Sequence, residues 1–410
     1  AVQPITDAVS GFIFYAVPIG EAQVPLIVVW LIVGAVFFTT YLGFINIRGF
    51  GHAVRIVSGR VDKQDGPGEI SHFQALTAAV SGTVGIGNIA GVAITVSIGG
   101  PGAIFWLIVA GLVGMTTKFV ECTLGVKYRQ VNEDGTVSGG PMYYLKAGLA
   151  RRGWPKLGRF LGLFYAASIV IGCLGIGNMF QSNQAYGQLL YVTGGEAGPL
   201  EGRGWLVGII LAVLVGVVIV GGIKSIARVT VKLVPFMIGI YILGALIVIG
   251  LNAQAVPGAI AAILTGAFTP SGVTGGFLGA MIIGFQRAAF SNEAGIGSAA
   301  IAHSAVATSA PLTEGFVSLL EPFIDTVVVC TLTGLVLVTA FPTETLMGGG
   351  IAGIEMTSAA FANSISWSPV PLSLAAVLFA VSTMLAWAYY GTEGRTYMFG
   401  ESQRTRLPFS

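Results

Sequence analysis

Of 410 residues, 54% are hydrophobic, only 9% are charged and 60 are glycine; a soluble domain carries about 25% charged residues, so the chain reads as an all-α, multi-pass membrane protein. A net charge of +2 is too small to argue for nucleic acid or a strongly acidic partner. The three cysteines, Cys122, Cys173 and Cys330, lie in apolar stretches and offer neither a disulfide framework nor a metal-binding spacing.

A span takes ~20 apolar residues, and the sequence predicts nine: 24–47, 73–98, 103–126, 157–190, 205–222, 233–251, 275–303, 315–340 and 371–390. Cytoplasmic connections collect lysine and arginine. Arg48, Arg55, Arg60 and Lys63 follow the first span, and the run from Lys127 to Arg159 follows the third. Lys224, Arg228 and Lys232 follow the fifth, and Arg395, Arg404 and Arg406 the last. Arg203 alone lies in a loop on the other side, which predicts an external amino terminus and a cytoplasmic carboxyl terminus.

The second span contains SGTVGIGNIAG at 81–91, with Gly82, Gly85, Gly87 and Gly91 around Thr83 and Asn88. Glycine at that density weakens a helix by up to ~1 kcal/mol per position, and a loosened backbone survives in a membrane only where protein or a polar cavity surrounds it. Two half-helices are expected, with the N–H groups of Gly85, Ile86, Gly87 and Asn88 at the positive end of the second, suited to a carboxylate. The seventh span repeats the anomaly: RAAFSNEAGIGSAAIAH at 287–303 carries a second Gly-Ile-Gly, with Ser291, Asn292 and Glu293 at mid-span. The two broken spans are five helices apart and cross in opposite directions, the pattern of a secondary transporter's binding site. Small-residue helix packing is the alternative for the glycines, but it does not call for the polar residues.

Other polar groups within spans are candidates by their rarity. Gln181, with Asn178 beside it, sits deep in the fourth span. Thr383 and Trp387 are i, i+4 and share a helix face; Trp387 would close a side-chain pocket above alanine size, or else belong to an interfacial aromatic belt with Tyr389 and Tyr390. Lys118 and Glu121 are spaced to pair, Asp325 and Arg287 could pair between helices, and Glu293 could cap the second half-helix or anchor Asn292. His303 reads as structural.

Several segments together resemble one family: GNIAGVA at Gly87, GGPGAIFW at Gly99, KFVECTLGVKYR at Lys118, GGPMYYLKAGL at Gly139, GNMFQSNQ at Gly177, FSNEAGIGSAAIAH at Phe290, FIDTVVVCTLTG at Phe323 and FAVSTMLAW at Phe379. They are similar, in order, to the alanine or glycine:cation symporters, transporters with the leucine-transporter (LeuT) inverted-repeat fold. The resemblance implies ten core helices in two inverted sets of five, preceded by one extra span. By that count the chain supplies core helices one to eight and lacks the last two. Its units would be 1–72 (extra span and connection), 73–251 (first repeat) and 252–410 (second, incomplete repeat). The implied activity is sodium-coupled import of alanine or glycine across the cell membrane by alternating access, by a monomer whose partners are the amino acid, Na+ and the bilayer.

The resemblance also implies a sodium site between core helices one and eight: the carbonyls of Ser81 and Val84, the hydroxyls of Ser382 and Thr383, and the Phe379 carbonyl, all hard oxygen donors. Back-bonding of the two hydroxyls within their own helix is the alternative. Substrate would meet Thr83, Gly85, Ile86, Gly87, Asn88, Asn178, Gln181, Ser291, Thr383 and Trp387. Glu314, where the family commonly has glutamine, is expected to face the inner surface. Proton coupling and a channel are the competing readings; no enzyme motif is present, and His52, His72 and His303 are scattered.

Overall fold

The computed structural model describes residues 10–11, 13–19, 22–61, 66–133, 135–269, 276–350 and 353–400. Lys63, Arg404, Arg406, Gly275 and both chain termini lie outside the described residues. The main helices, in chain order, are α1 (Leu26–Tyr41), α2 (His72–Thr83), α3 (Ala90–Gly99), α4 (Gly102–Lys127), α5 (Pro155–Val192) and α6 (Gly204–Ile219). There follow α7 (Gly222–Leu251), α8 (Val256–Phe268), α9 (Gly276–Asn292), α10 (Ala299–Ser304), α11 (Pro311–Ala340), α12 (Gly353–Ser364) and α13 (Pro369–Phe399). Among the described residues the strands are two short antiparallel pairs, Ala16–Ile19 with Ala22–Pro25 and Gln130–Val131 with Val137–Ser138.

The expected spans map onto these helices, with α2 and α3 forming one broken span bent by 58°. Local chemistry sets its ends. Ser71 and Gln74 form a capping box at the start of α2, and the chain leaves the helix at Val84 (ψ 89°) and Gly85, which is fully extended. Gly100, at φ +64°, turns the chain so that Pro101 can open α4.

Three expected boundaries differ. Lys224, Arg228 and Lys232 belong to the first turns of α7 rather than to a connection, because nothing between Gly222 and Leu233 interrupts helical bonding. The stretches 252–274 and 341–370, expected as loops, contain α8 and α12. Both are shorter than a span, which is why a window of membrane length passes over them.

The long helices divide into centre and rim. In α4 and α13, 61% and 67% of the apolar window is buried, against 28% in α5 and α7. The first pair therefore packs through the middle, while the second presents most of its surface outward. α4 packs on α9, α10 and α11, and α13 on α2, α5 and α7. The two interrupted spans thus lie between these central helices. Two π-helical stretches, Cys173–Met179 in α5 and Phe323–Cys330 in α11, displace the register beside the breaks; such bulges often accompany functional sites.

Candidate functional site

The site forms where the α2–α3 break meets α5, α11 and α13. Gly85 is the point of closest approach: a β-carbon there would collide with Thr383 Oγ1 and lie 3.2 Å from Gln181 Oε1. The Ile86 N–H donates to Gln181 Oε1 at 3.2 Å, and the Gly85 N–H to Asn88 Oδ1 at 2.9 Å. Of the four N–H groups expected to be open at this half-helix, those of Gly85 and Ile86 are therefore met by side-chain amide oxygens, and that of Asn88 by the Gly85 carbonyl at 3.1 Å. The amide oxygens hold the positions in which a carboxylate would accept. A β-carbon at Gly87 would lie 3.8 Å from the Phe290 ring, which packs edge-on against Phe180.

Asn88 also ties the first break to the second. Its Nδ2 donates to the backbone oxygen and Oδ1 of Asp325, at 3.0 and 2.6 Å. Asp325 Oδ2 accepts from Ser291 Oγ at 2.9 Å and from Thr326 Oγ1 at 2.6 Å. The expected Asp325–Arg287 pair does not form, since Asn88, Ser291 and Thr326 satisfy both carboxylate oxygens and Arg287 Nε has no hydrogen-bond partner. The π-turn of α11 carries this tie, and an aspartate in an apolar span was its only sequence signal.

The second break is a tight turn. Glu293 stands at φ +58°, followed by Gly295 at +94° and Gly297 at +86°. Glu293 does not anchor Asn292, whose Nδ2 instead donates to Thr326 Oγ1 at 2.9 Å. The Glu293 carboxylate accepts from Ser298 Oγ and, at 3.0 Å, from Trp387 Nε1. Trp387 is buried and so is not an interfacial belt residue. Its β-carbon passes so close to Gly177 that no side chain fits there. The indole is thereby clamped between α5 and the turn.

Between α2 and α13 the oxygens named for sodium come together in part. Ser382 Oγ lies 3.5 Å from the Ser81 carbonyl and 2.9 Å from that of Phe379, so the back-bonding alternative holds for Ser382. It does not hold for Thr383: Oγ1 is buried without a hydrogen-bond partner, beside the break that Val84 opens. The donor set, neutral and all oxygen, fits a hard monovalent cation. Thr83 bonds back to the Val80 carbonyl at 3.4 Å. Asn178 is turned away, donating to the Cys173 carbonyl at 2.7 Å and lining a groove between α5 and α6.

Two further expectations on charge are corrected. Lys118 pairs with Glu321 at 3.0 Å, not with Glu121; α11 crosses α4 there and brings a better-aligned carboxylate. Glu314 does not face a surface but is buried between His72 and His303, each 2.5 Å away.

Residues 15–409 match the sodium:alanine symporter family. The sodium/alanine symporter AgcS of Methanococcus maripaludis is 40% identical over 381 residues, 92% of this chain and 81% of that one. The amino-acid carrier protein AlsT of Bacillus subtilis is 38% identical over 365 residues, 88% and 74% of the two chains. MhsT, solved in complex with L-phenylalanine, superposes with a TM-score of 0.59 at 16% identity, over 83% of this chain and 77% of that one, a likeness of fold alone. With a family match across nearly the whole chain, two interrupted helices at one site and a LeuT-like architecture, the chain belongs to the sodium:alanine symporter family: a multi-pass membrane transporter and not an enzyme.

Proposed function

We propose that this protein imports small neutral amino acids, alanine and glycine, together with sodium, by alternating access around the α2–α3 break. The substrate carboxylate displaces the Gln181 and Asn88 amide oxygens from the N–H groups of Gly85 and Ile86, while Trp387 limits the side chain. Sodium lies between α2 and α13 on the Ser81, Val84 and Phe379 carbonyls and the Ser382 and Thr383 hydroxyls. The units are 1–72, 73–251 and 252–410, with an external amino terminus and a cytoplasmic carboxyl terminus.

The observation that carries this reading is Thr383. An unpaired buried hydroxyl costs about 1–3 kcal/mol, and this one sits at the edge of a helix break that brings Gly85 and Gln181 beside it. A bound cation or the ligand itself would offset that penalty. Uptake of labelled alanine into proteoliposomes tests the reading: an inward sodium gradient is expected to drive accumulation, and an equal potassium gradient is not. Accumulation driven by a pH gradient with sodium absent would sink it.

A further inference from the structure

At the end of the bundle where α2 begins, the cytoplasmic end in the proposed topology, a chain of ionisable groups runs inward. His72 Nδ1 lies 2.5 Å from Glu314 Oε2, and His303 Nδ1 lies 2.5 Å from Glu314 Oε1. The other ring nitrogen, His303 Nε2, faces Glu321 Oε2 at 3.8 Å, and Lys118 Nζ donates to Glu321 Oε1 at 3.0 Å. All five residues are buried.

The elements packed on α10 are α4, α2, α13 and the short strand Val137–Ser138. From α4 come Lys118, Glu121 and Cys122, with Arg129 just beyond its end; α2 brings His72, α13 brings Tyr390, and Glu314 and Glu321 come from α11. Glu121 and Glu293 both lie close enough to Lys118 to interact with it. Four carboxyl groups, Glu121, Glu293, Glu314 and Glu321, thus share a region with two permanent cations, Lys118 and Arg129. Burying uncompensated carboxylates is expensive, so protons must make up the difference. Two atoms mark a place for one: His303 Nε2 and Glu321 Oε2 are both buried, both without a hydrogen-bond partner, and face each other. Two acceptors so placed repel, and a proton on Nε2 turns the contact into an attraction between imidazolium and carboxylate.

We infer that this protein binds a proton on His303, between Glu314 and Glu321, as a ligand additional to amino acid and sodium, and holds it only while this end of the bundle is closed. Closure is built from the two broken spans. Ile70 and Val306 form a parallel bridge, the Glu69 N–H donates to the Ala305 carbonyl at 2.7 Å, and the Ala307 N–H to the Ile70 carbonyl at 2.8 Å. Arg129 clamps the same two segments: Nη1 donates to the Ser304 and Val306 carbonyls at 2.7 and 2.6 Å, and Nη2 to those of Pro67 and Thr308 at 2.5 and 2.6 Å. His303 rides on α10 and His72 on α2, but Glu314 and Glu321 belong to α11. Moving the two stitched arms away from α11 separates the imidazole from both carboxylates and admits water, and the proton leaves on that side. Linkage is reciprocal: a high proton concentration inside holds the gate shut, by up to about tenfold per pH unit for one proton.

The proton site itself stands apart from the transport reading, whereas the gating link rests on it, and the test separates the two. With only three histidines in the chain, ring 15N spectra of the full protein in nanodiscs, assigned with His52→Gln and His72→Gln, report each imidazole. His303 is expected to be protonated on both nitrogens at pH 7.5 and to lose one proton in Glu321→Gln; a single-protonated His303 in the unaltered protein overturns the proton site. In proteoliposomes with external pH fixed at 7, sodium-driven alanine uptake is expected to be several-fold slower at internal pH 6 than at 8, and His303→Gln is expected to erase that ratio whatever its absolute rate. Equal uptake at both internal pH values overturns the gating link. Absence of any uptake would count against the transport function, while the ring spectra would still decide the proton site.

Discussion

The two interrupted spans read alike, with Gly-Ile-Gly at 85–87 and at 295–297, yet different forces shape them. Gly85 has φ −133° and ψ −160°, extended backbone that any residue adopts. Its hydrogen side chain is required by what approaches from outside, the Thr383 hydroxyl and the Gln181 amide. Gly295 and Gly297 have φ +94° and +86°, so glycine is required there by the turn's own conformation. Glu293 enters the left-handed region without that freedom, and two hydrogen bonds to its carboxylate hold it there. The first break is therefore moulded by its neighbours, and the second carries its own strain.

The largest test of that contrast is Gly85→Ala. Its methyl would occupy the space of Thr383 Oγ1, while a methyl at Gly87 meets nothing nearer than 3.8 Å. Alanine uptake is expected to fall by about a hundredfold or more in Gly85→Ala, the ~3 kcal/mol of a steric clash within a packed core, and far less in Gly87→Ala, at equal surface expression. Comparable losses in both would mean that backbone freedom, not space, sets the first break.

Next come the hydroxyls of α13. Thr383→Ala removes an oxygen that has no other partner, whereas the Ser382 hydroxyl also serves the Phe379 carbonyl. Half-saturating sodium should rise by about tenfold in Thr383→Ala, the ~1.4 kcal/mol of one ligand, and less in Ser382→Ala. Gln181→Ala should mainly raise the alanine requirement, although coupling between the two ligands blurs the separation. Unchanged sodium dependence in the double alanine variant would move the ion elsewhere.

A smaller effect is expected at Glu293. Removing its carboxylate in Glu293→Ala frees the Trp387 indole, so uptake of larger neutral amino acids should gain on alanine by about 3–10-fold, the range of one or two methylenes in a pocket. Glu293→Gln keeps an acceptor for Nε1 and should preserve selectivity. If neither variant relaxes selectivity, the indole is held by packing alone.

Much of this was legible in the sequence because membranes punish irregularity: glycine and polar residues in an apolar span announce a break, and Gln181, Thr383 and Trp387 announce themselves as polar or bulky intruders. The partners were not legible. Lys118 chose Glu321 rather than Glu121, and Asp325 chose Asn88 and Ser291 rather than Arg287, because helix crossings and the π-turn of α11 set which side chains meet. Intrahelical spacing states only which pairs are possible. Asn178 misled for a related reason: the π-turn of α5 offered its amide the Cys173 carbonyl and rotated it out of the site. The conformational difference between the two Gly-Ile-Gly motifs was equally hidden, since glycine permits both backbones.

The smallest effect separates strain from space at the second break. An alanine at 295 must adopt the left-handed region, which costs about 1–2 kcal/mol, and its methyl would also run into Leu31 Cδ2 of α1. The second obstacle is the far end of a flexible side chain and can turn aside. Gly295→Ala is therefore expected to lower the melting temperature by a few degrees while each folded molecule keeps most of its uptake. Adding Leu31→Ala relieves only the steric part, so the double variant should melt no higher than Leu31→Ala alone less the backbone penalty. If Leu31→Ala abolishes the cost of Gly295→Ala altogether, the second break needs glycine for room, as the first does, and the two halves of the molecule are built on one principle after all.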